Sequence, residues 1–369
     1  MKRLLPLLLL LGLLCGCQSE PAAPSVTTLP TELTSVPTTE ATVPTTQPTV
    51  PSTTEPSTAP ATQPTEPEVV LYRNPLNGQA MDEPYTGRPF AVTISNQKDA
   101  LPHRSVNQAD LYFELLVNGG LTRGLAIFSD ITKVESVGPI RSCRYHFVDM
   151  AKSYNAVLTY GGGSDQVLEY LNSSGISHLS ALQDEIAYRD YDRFNSGYAW
   201  EHCLYANGQN LWNMAQKRGI KVVQPEGKNY GLTFTPDATP TDGETANTIT
   251  IDFWNMFTVL EYSTETGTYL HTAYDIPLVD ESTGEREGFK NVLIIHAGVY
   301  NEGEYHLYDI EGTGKGYYAC NGKIIPITWK RASNSVPFTF FRTDGTALEI
   351  NVGNSYIGFA PSGRPIVWE

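Results

Sequence analysis

The chain has 369 residues, a formal net charge of −15 at pH 7 and 40% hydrophobic residues. Its length leaves room for more than one folded domain. The acidic balance argues against nucleic acid as a general partner, because neutralising phosphates needs a basic surface. It also argues against adsorption to anionic lipid headgroups by net charge alone.

The first residues are typical of an export signal. Lys2 and Arg3 precede a nearly unbroken leucine run over residues 4–14, which is too short to span a bilayer as a mature helix. Gly16 and Cys17 follow, and this order resembles the lipobox of bacterial lipoproteins. The resemblance implies a signal peptide over residues 1–16 and lipidation of Cys17. An ordinary signal peptide or a buried core helix is the alternative.

A Thr/Pro-rich segment follows the cysteine. Between residues 18 and 67 the chain is almost entirely Thr, Pro, Ser, Ala, Val and Glu, without Lys, Arg or aromatic residues. Such a composition buries too little apolar area to offset its conformational entropy. Its prolines favour extended polyproline II. We therefore predict a disordered stalk over residues 17–68 that acts as a spacer.

The next segment, residues 69–225, predicts a mixed α/β domain. Apolar runs of strand length alternate with segments that begin at helix-capping residues. The turn signal Asn118-Gly119-Gly120 separates two of the strands. The predicted strands are 90–95, 111–117, 123–129 and 156–160, and the predicted helices are 140–153, 165–171 after Ser164, and 208–218 after Asn207.

The last segment, residues 245–369, predicts a mainly β domain. Strand-length runs occur at 248–253, 257–262, 268–273 and 291–299, and Asn321-Gly322 sits at the centre of a strong hairpin signal. Residues 223–245 are rich in Pro, Gly, Thr and Asp and predict the boundary between the two domains. The whole chain is therefore expected to be α+β.

Several motifs make the chain recognisable. They are Asn74-Pro75-Leu76-Asn77-Gly78, Gln108-Ala109-Asp110-Leu111-Tyr112-Phe113-Glu114, Val137-Gly138-Pro139-Ile140-Arg141-Ser142-Cys143-Arg144, Tyr188-Arg189-Asp190, Glu201-His202-Cys203-Leu204-Tyr205 and Gly312-Thr313-Gly314-Lys315-Gly316. With these motifs the chain resembles the YerB-like bacterial lipoproteins, a two-part family of unestablished function. The resemblance covers residues 73–369. It implies an architecture and a location, but no reaction.

Two cysteines depart from the pattern of that family. Cys143 stands where the family usually has a small residue, and Cys203 where it usually has Asn. Because both changes lie in the strongest motifs, we take a Cys143–Cys203 disulfide as a hypothesis. The alternative is two small, buried thiols. No cysteine spacing resembles a zinc site, and we expect neither a metal nor a cofactor.

Arginines in the motifs are the candidate ligand-binding residues. They are Arg123, Arg141, Arg144, Arg189 and Arg193. Arg141 and Arg144 share one face near the start of a predicted helix, close to the positive end of its dipole. Guanidinium groups bind phosphate and carboxylate through paired hydrogen bonds, so the pattern predicts an anion-binding cleft. The alternative is internal salt bridging to Glu114, Asp149, Asp190 or Asp192.

Three further residues are candidates for acid–base chemistry. His202 titrates near neutral pH, and Asp190 or Asp149 are the carboxylates available to orient it. Their wide spacing carries no catalytic motif, and a hydrogen-bonded structural histidine is the alternative.

Two functions from different classes remain open. The first is a lipoprotein on the extracellular face of the bacterial cell membrane that binds an anionic cell-envelope or cell-wall ligand in the arginine cleft. The second is an envelope hydrolase or transferase that uses the same cleft with His202 and Asp190 or Asp149 as an acid–base pair. A structural or protein-interaction role for the β domain is a third alternative.

Overall fold

Strands predominate over helices in residues 72–225 and 227–369, as their content of β-branched and aromatic residues favours. The computed structural model describes residues 72–225 and 227–369, so the predicted signal peptide, lipidation site and stalk lie outside the described residues. The strands are β1 Tyr72–Arg73, β2 Ala80–Met81, β3 Phe90–Ser95, β4 Leu111–Leu116, β5 Thr122–Phe128, β6 Val157–Tyr160, β7 His178–Ser180, β8 Ala187–Arg189, β9 Leu204–Ala206, β10 Thr233–Thr235, β11 Glu244–Thr245, β12 Thr248–Asp252, β13 Phe257–Ser263, β14 Thr268–Ala273, β15 Ile276–Pro277, β16 Gly288–Phe289, β17 Asn291–Glu302, β18 Tyr305–Asp309, β19 Gly312–Cys320, β20 Lys323–Arg331, β21 Thr339–Arg342, β22 Glu349–Asn351, β23 Ser355–Pro361 and β24 Ile366–Trp368.

A twelve-stranded mixed sheet forms the centre of the fold. Its strand order is β11-β20-β19-β17-β23-β4-β5-β3-β6-β7, and β18 and β21 pair with β17 and β20. Strands β3, β4, β5 and β23 are buried along their whole length. Strands covered on both faces need continuous apolar runs rather than alternation, which explains why these segments are so apolar.

The large sheet takes strands from both sides of the predicted domain boundary. Strand β23, near the C-terminus, runs parallel to β4 and pairs Ser355 with Leu111 and Gly358 with Glu114. On its other edge β23 pairs in parallel with β17. Residues 72–225 and 227–369 belong to one compact unit. The two parts of the sequence therefore share hydrogen bonds in a single sheet.

A second sheet of six strands comes entirely from the last part of the chain. Its order is β15-β14-β13-β12-β24, and β16 pairs with β14. The ring of Phe289 lies 5.7 Å from that of Tyr112 and 5.6 Å from that of Tyr356, so aromatic side chains pack this sheet against the large one. The mainly β character predicted for residues 245–369 is confirmed.

All α-helices of the described residues lie before residue 218. They are α1 Tyr145–Ser153, α2 Asp165–Ser173, α3 Tyr191–Asn195 and α4 Gly208–Lys217. Ser164 caps α2 by accepting a hydrogen bond from the Val167 N–H, and Asn207 caps α4 by accepting one from the Asn210 N–H, as predicted. Within these ranges no helix combines the length and the apolar character needed to cross a membrane.

A buried polar network joins the two parts of the chain. Glu287 accepts hydrogen bonds from His103 Nδ1 at 2.8 Å and from His271 Nδ1 at 3.2 Å, and all three residues are fully buried. Glu114, also fully buried, accepts a hydrogen bond from the Tyr356 hydroxyl at 2.7 Å. His103 and Glu114 precede residue 221, and the other members follow residue 249. Ionic and hydrogen-bonded contacts therefore cross between the parts inside the core.

Candidate anion-binding site

The segment that carries Arg141 and Arg144 is extended rather than helical. Helix α1 begins at Tyr145, not at the predicted residue 140, and Arg144 is its N-cap residue. The Arg141 N–H donates to the Thr93 carbonyl at 3.1 Å, and the Arg141 carbonyl accepts from the Gly161 N–H at 2.9 Å. Because these backbone groups bond to neighbouring segments, the helix starts later. The two arginines therefore do not share a helix face.

Arg123, Arg141 and Arg144 nevertheless lie close together, because the Arg123 guanidinium donates to the carbonyl of Ser142, which lies between the other two in sequence. We call these three residues the arginine cluster. All their hydrogen-bond partners are uncharged oxygens. Arg123 donates to the Ser142 carbonyl at 2.9 Å, Arg141 to Gln97 Oε1 at 3.0 Å, and Arg144 to Asn118 Oδ1 at 3.0 Å and to the Cys143 carbonyl at 2.7 Å. Within residues 72–225 and 227–369, none of the three lies within 4.0 Å of a carboxylate oxygen.

Unsatisfied donors remain in the arginine cluster. The Nε atoms of Arg141 and Arg144 are buried and have no hydrogen-bond partner among the described residues. Arg123 is only 6% exposed. A buried donor that lacks a partner costs free energy, and a buried unpaired charge costs more. An oxyanion bound here would relieve both costs.

The charges of the cluster act on one another. Burial lowers the pKa of Arg123, and the positive charges of Arg144 and Arg141 lower it further. Burial also lowers the pKa of Arg141. Glu201 partly opposes this lowering, and Arg189 adds to it. Arginine stays protonated in proteins despite such shifts. The site is therefore a concentration of positive charge in an acidic protein.

Residues of the last part of the chain also reach the cluster. The Arg144 guanidinium lies over the Tyr305 ring at 5.4 Å from its centroid, a cation–π contact. Tyr305 has no local sequence signal that marks it as part of the site, because it belongs to strand β18 and lies about 160 positions away from Arg144.

Arg189 and Arg193, the other two predicted arginines, have different surroundings. Arg189 donates to the Trp200 carbonyl at 2.6 Å and lies over the Trp200 ring. Arg193 is 4% exposed and forms a salt bridge with Glu281 at 2.9 Å. The alternative of internal salt bridging thus applies to Arg193, although its partner is none of the four predicted carboxylates. We exclude Arg193 from the site.

The structure does not assemble the predicted acid–base pair. Asp190 forms a salt bridge with Arg104 at 2.6 Å and caps helix α3. Asp149 accepts a hydrogen bond from the Tyr170 hydroxyl at 2.6 Å. The pKa of His202 is lowered by burial and then by Arg141, and its buried Nδ1 has no hydrogen-bond partner in the described residues. His202 therefore forms a salt bridge with neither aspartate.

The hypothesised Cys143–Cys203 disulfide is not formed. Cys143, Cys203 and Cys320 are all buried free thiols. The Cys143 sulfur contacts the Arg144 carbonyl, and the Cys203 sulfur contacts the Ala199 carbonyl. Each thiol therefore packs against its own local backbone. The described residues contain no group of three or more His, Cys, Asp or Glu side chains arranged to hold a metal ion.

We expect the three thiols to resist alkylation in the folded protein. Burial raises the pKa of Cys143 to about 12 and that of Cys320 to about 11, and it also raises the pKa of Cys203, so little reactive thiolate forms. Mass spectrometry after iodoacetamide treatment, without reductant, should show no modified cysteine in the folded protein and three modified cysteines in the unfolded protein. Two unmodified cysteines in the unfolded protein would instead indicate that the Cys143–Cys203 disulfide exists.

Comparisons with known proteins place the chain in a family. A model described as "Protein of unknown function (DUF3048) N-terminal domain" matches residues 76–221, and its C-terminal counterpart matches residues 249–357. The "Putative lipoprotein YerB" of Bacillus subtilis (strain 168) is 26% identical over 302 residues, covering 78% of this chain and 86% of that protein.

A solved structure supports the fold. The crystal structure of YerB from Bacillus subtilis superposes with a TM-score of 0.69 at 23% identity, covering 80% of this chain and 99% of that one. At that identity the likeness concerns the fold alone. Because the two family models together match more than half of the chain, this protein belongs to the YerB-like DUF3048 family.

Proposed function

We propose that this protein is a lipoprotein anchored through Cys17 on the extracellular face of the bacterial cell membrane, and that it binds an anionic cell-envelope ligand at the arginine cluster. The lipobox-like start of the sequence and the name of the Bacillus subtilis relative support the anchor. The predicted spacer over residues 17–68 would carry the body away from the membrane, which favours a ligand in the cell wall.

The observation that carries the proposal is that three neighbouring arginines have no carboxylate partner among the described residues, while two of them keep a buried Nε without a hydrogen-bond partner there. Other arginines of this acidic protein do pair with Asp or Glu, namely Arg104, Arg193, Arg218, Arg342 and Arg364. Five more arginines have no carboxylate partner in the described part of the chain: the exposed Arg73, and Arg88, Arg189, Arg286 and Arg331. Unlike Arg141 and Arg144, none of the last four has a buried guanidinium nitrogen without a hydrogen-bond partner. The arginine cluster combines mutual repulsion with unsatisfied donors, and an anion compensates for both.

Binding is favoured over hydrolysis by the surroundings of the acid–base candidates. An acid–base pair requires the base to be oriented by a hydrogen-bonded partner. Asp190 pairs with Arg104, and Asp149 accepts a hydrogen bond from Tyr170. Neither aspartate forms a salt bridge with His202. The proposed function is therefore ligand binding rather than hydrolysis or group transfer.

Removing one arginine of the cluster should weaken anion binding strongly. We expect Arg141→Ala and Arg144→Ala each to raise the Kd for tripolyphosphate by about tenfold or more, because a hydrogen bond to a charged group contributes about 1.5–3 kcal/mol. Isothermal titration calorimetry of the chain from residue 18 to 369 measures this effect.

The matched control is Arg342→Ala. It removes the same charge from a surface arginine that pairs with Asp242 at 2.5 Å, and it should leave the Kd within about twofold. An equal loss of affinity in this control would mean that binding depends on net charge alone, and the proposal would be wrong.

A further inference from the structure

Three aromatic side chains are exposed together beside the arginine cluster. Tyr191 is 65% exposed, Phe194 43% and Trp200 40%. The Trp200 ring centroid lies 5.6 Å from that of Tyr191 and 5.2 Å from that of Phe194, in edge-to-face contacts. We call these three residues the aromatic patch. Adjacent exposed rings of this size on a protein surface mark an interaction site more often than isolated ones do.

The opposite side of helix α3 holds the patch in place. Arg193, between Tyr191 and Phe194 in sequence, is buried and donates to Glu281 at 2.9 Å and to the Ala100 carbonyl at 2.6 Å. Asp190 caps the helix through the Arg193 N–H. The helix is thus anchored on one face and presents its aromatic side chains on the other. The rings are preorganised, which lowers the entropy cost of binding.

Arg189 connects the aromatic patch to the arginine cluster. Its guanidinium donates to the Trp200 carbonyl at 2.6 Å and lies 5.1 Å from the centroid of the Trp200 ring. Arg189 pairs with Leu204 between β8 and β9, and the Leu204 carbonyl accepts a hydrogen bond from the N–H of Ile140, the residue before Arg141, at 2.7 Å. The segments that carry Arg189 and Arg141 are therefore neighbours, and the arginine cluster lies next to the aromatic patch.

We propose that this region binds an acidic polysaccharide, whose sugar rings stack on the aromatic patch while its acidic groups bind the arginine cluster. The inference rests on the proposed function and names the chemical class of its ligand. An aromatic face carries negative potential and attracts the C–H groups on the face of a sugar ring. Guanidinium groups supply the specific contacts to carboxylate or phosphate.

Two exposed carboxylates favour a sugar over other occupants. Asp192 and Glu201 adjoin Tyr191 and Trp200 in sequence and are exposed. Carboxylates accept hydrogen bonds from hydroxyl groups, which a polysaccharide supplies. Insertion of the patch into a lipid bilayer would instead desolvate them at a cost in free energy. A polyanion without sugars has no hydroxyl groups to donate to them and would contact the arginines alone.

The test compares a hyaluronan octasaccharide, which is an acidic polysaccharide fragment, with tripolyphosphate, which has no sugar. In calorimetric titrations of the chain from residue 18 to 369, Trp200→Ala and Tyr191→Ala should each raise the Kd for the octasaccharide by about tenfold, an effect of the order that one aromatic ring contributes when it stacks on a nucleobase. Both variants should bind tripolyphosphate with the wild-type Kd. Arg144→Ala should weaken binding of both ligands.

A matched control distinguishes an effect of the aromatic patch from the effect of removing any exposed aromatic side chain. Phe257 is 51% exposed on strand β13 of the second sheet, and its Ala variant should bind the octasaccharide like the wild type. Tyr191 is the most exposed of the three rings, so its variant retains the fold even where Trp200→Ala loses it. Thermal unfolding of each variant verifies this.

The outcomes distinguish this inference from the function on which it rests. Tripolyphosphate binding that depends on Arg144, with an octasaccharide Kd unchanged by Tyr191→Ala and Trp200→Ala, would overturn the polysaccharide and leave the anion site. Absence of binding by either ligand would overturn both. A third result is a wild type that binds phosphatidylglycerol vesicles and not the octasaccharide, with vesicle binding lost in the aromatic variants. That result would overturn the polysaccharide and show that the patch binds a membrane surface.

Discussion

Replacement of Glu287 with Gln is expected to lower the free energy of unfolding by about 3–5 kcal/mol. The Glu287 carboxylate lies between His103 and His271, and all three side chains are excluded from solvent. His103 Nε2 contacts the Ser95 carbonyl at 2.8 Å, and a carbonyl only accepts. Both ring nitrogens of His103 therefore donate, so the ring is an imidazolium. Gln keeps the volume but leaves this buried charge uncompensated.

Chemical denaturation monitored by fluorescence measures the effect. The control is Glu285→Gln, which removes the same charge from an exposed neighbour and should change the free energy of unfolding by less than about 0.5 kcal/mol. A loss of similar size in both variants would contradict an ionic role for the buried network.

The same pair makes stability depend on pH. Burial raises the pKa of Glu287, but the charges and hydrogen bonds of His103 and His271 outweigh this and lower it to about 2. Its contribution is present above the ordinary carboxyl value of 4.5 and is lost as the pH falls toward 2. Burial lowers the pKa of His103, but Glu287 outweighs this and raises it above 6.5. Its contribution is present below 6.5 and is lost as the pH rises through the raised pKa.

The free energy of unfolding should therefore be greatest between about pH 4.5 and pH 6.5. Glu287→Gln should flatten both sides of this profile, because it removes the acid that titrates on one side and the partner that raises the histidine pKa on the other. Denaturation curves across this range provide the measurement. A variant profile parallel to that of the wild type would show that other groups cause the dependence.

Replacement of Gly208 with Ala is expected to cost about 3 kcal/mol of stability. A Cβ atom at this position would lie 1.8 Å from the Ile131 carbonyl oxygen and 2.7 Å from that of Val134. Both are backbone atoms, so helix α4 must move away. The movement weakens the hydrogen bond from the Gly208 N–H to the Val134 carbonyl, now 2.9 Å long, and the packing of Leu211, which is fully buried.

The opposite sign would be expected without this close approach, because Ala stabilises a helix relative to Gly by about 1 kcal/mol. Gly363→Ala is the control, since a Cβ there meets no heavy atom within 4 Å. Thermal unfolding of the two variants measures the difference. A Gly208→Ala variant as stable as the wild type or more so would contradict the described packing of α4.

Local signals in the sequence predicted the elements whose causes are local. Strands β3 and β14 and helices α2 and α4 were identified from apolar periodicity and from the capping residues Ser164 and Asn207. Helix α1 begins later than predicted because the Arg141 N–H, in the first predicted turn, donates to the Thr93 carbonyl. These two residues are almost 50 positions apart. Local propensity cannot represent such competition.

The sequence indicated that the candidate site consists of arginines, but not which arginines form it. Arginines in an acidic chain pointed to anion binding, and Arg123, Arg141 and Arg144 do lie together. Nothing local distinguished them from Arg193, whose partner Glu281 is 88 positions away. The parallel pairing of β23 with β4 brings the last part of the chain against the first, and strand order of this kind has no signature in a single sequence.

Thermal unfolding of the wild type and Arg141→Ala, each with and without tripolyphosphate, tests most directly whether the arginine cluster serves a ligand. Without ligand we expect the Tm of the variant to equal or exceed that of the wild type, because the substitution removes repulsion from neighbouring guanidiniums. At one ligand concentration we expect tripolyphosphate to raise the Tm of the wild type clearly and that of the variant much less, because the variant binds more weakly. A variant that unfolds at lower temperature without ligand, beside a wild type that tripolyphosphate does not stabilise, would show that these arginines maintain the fold and bind no anion.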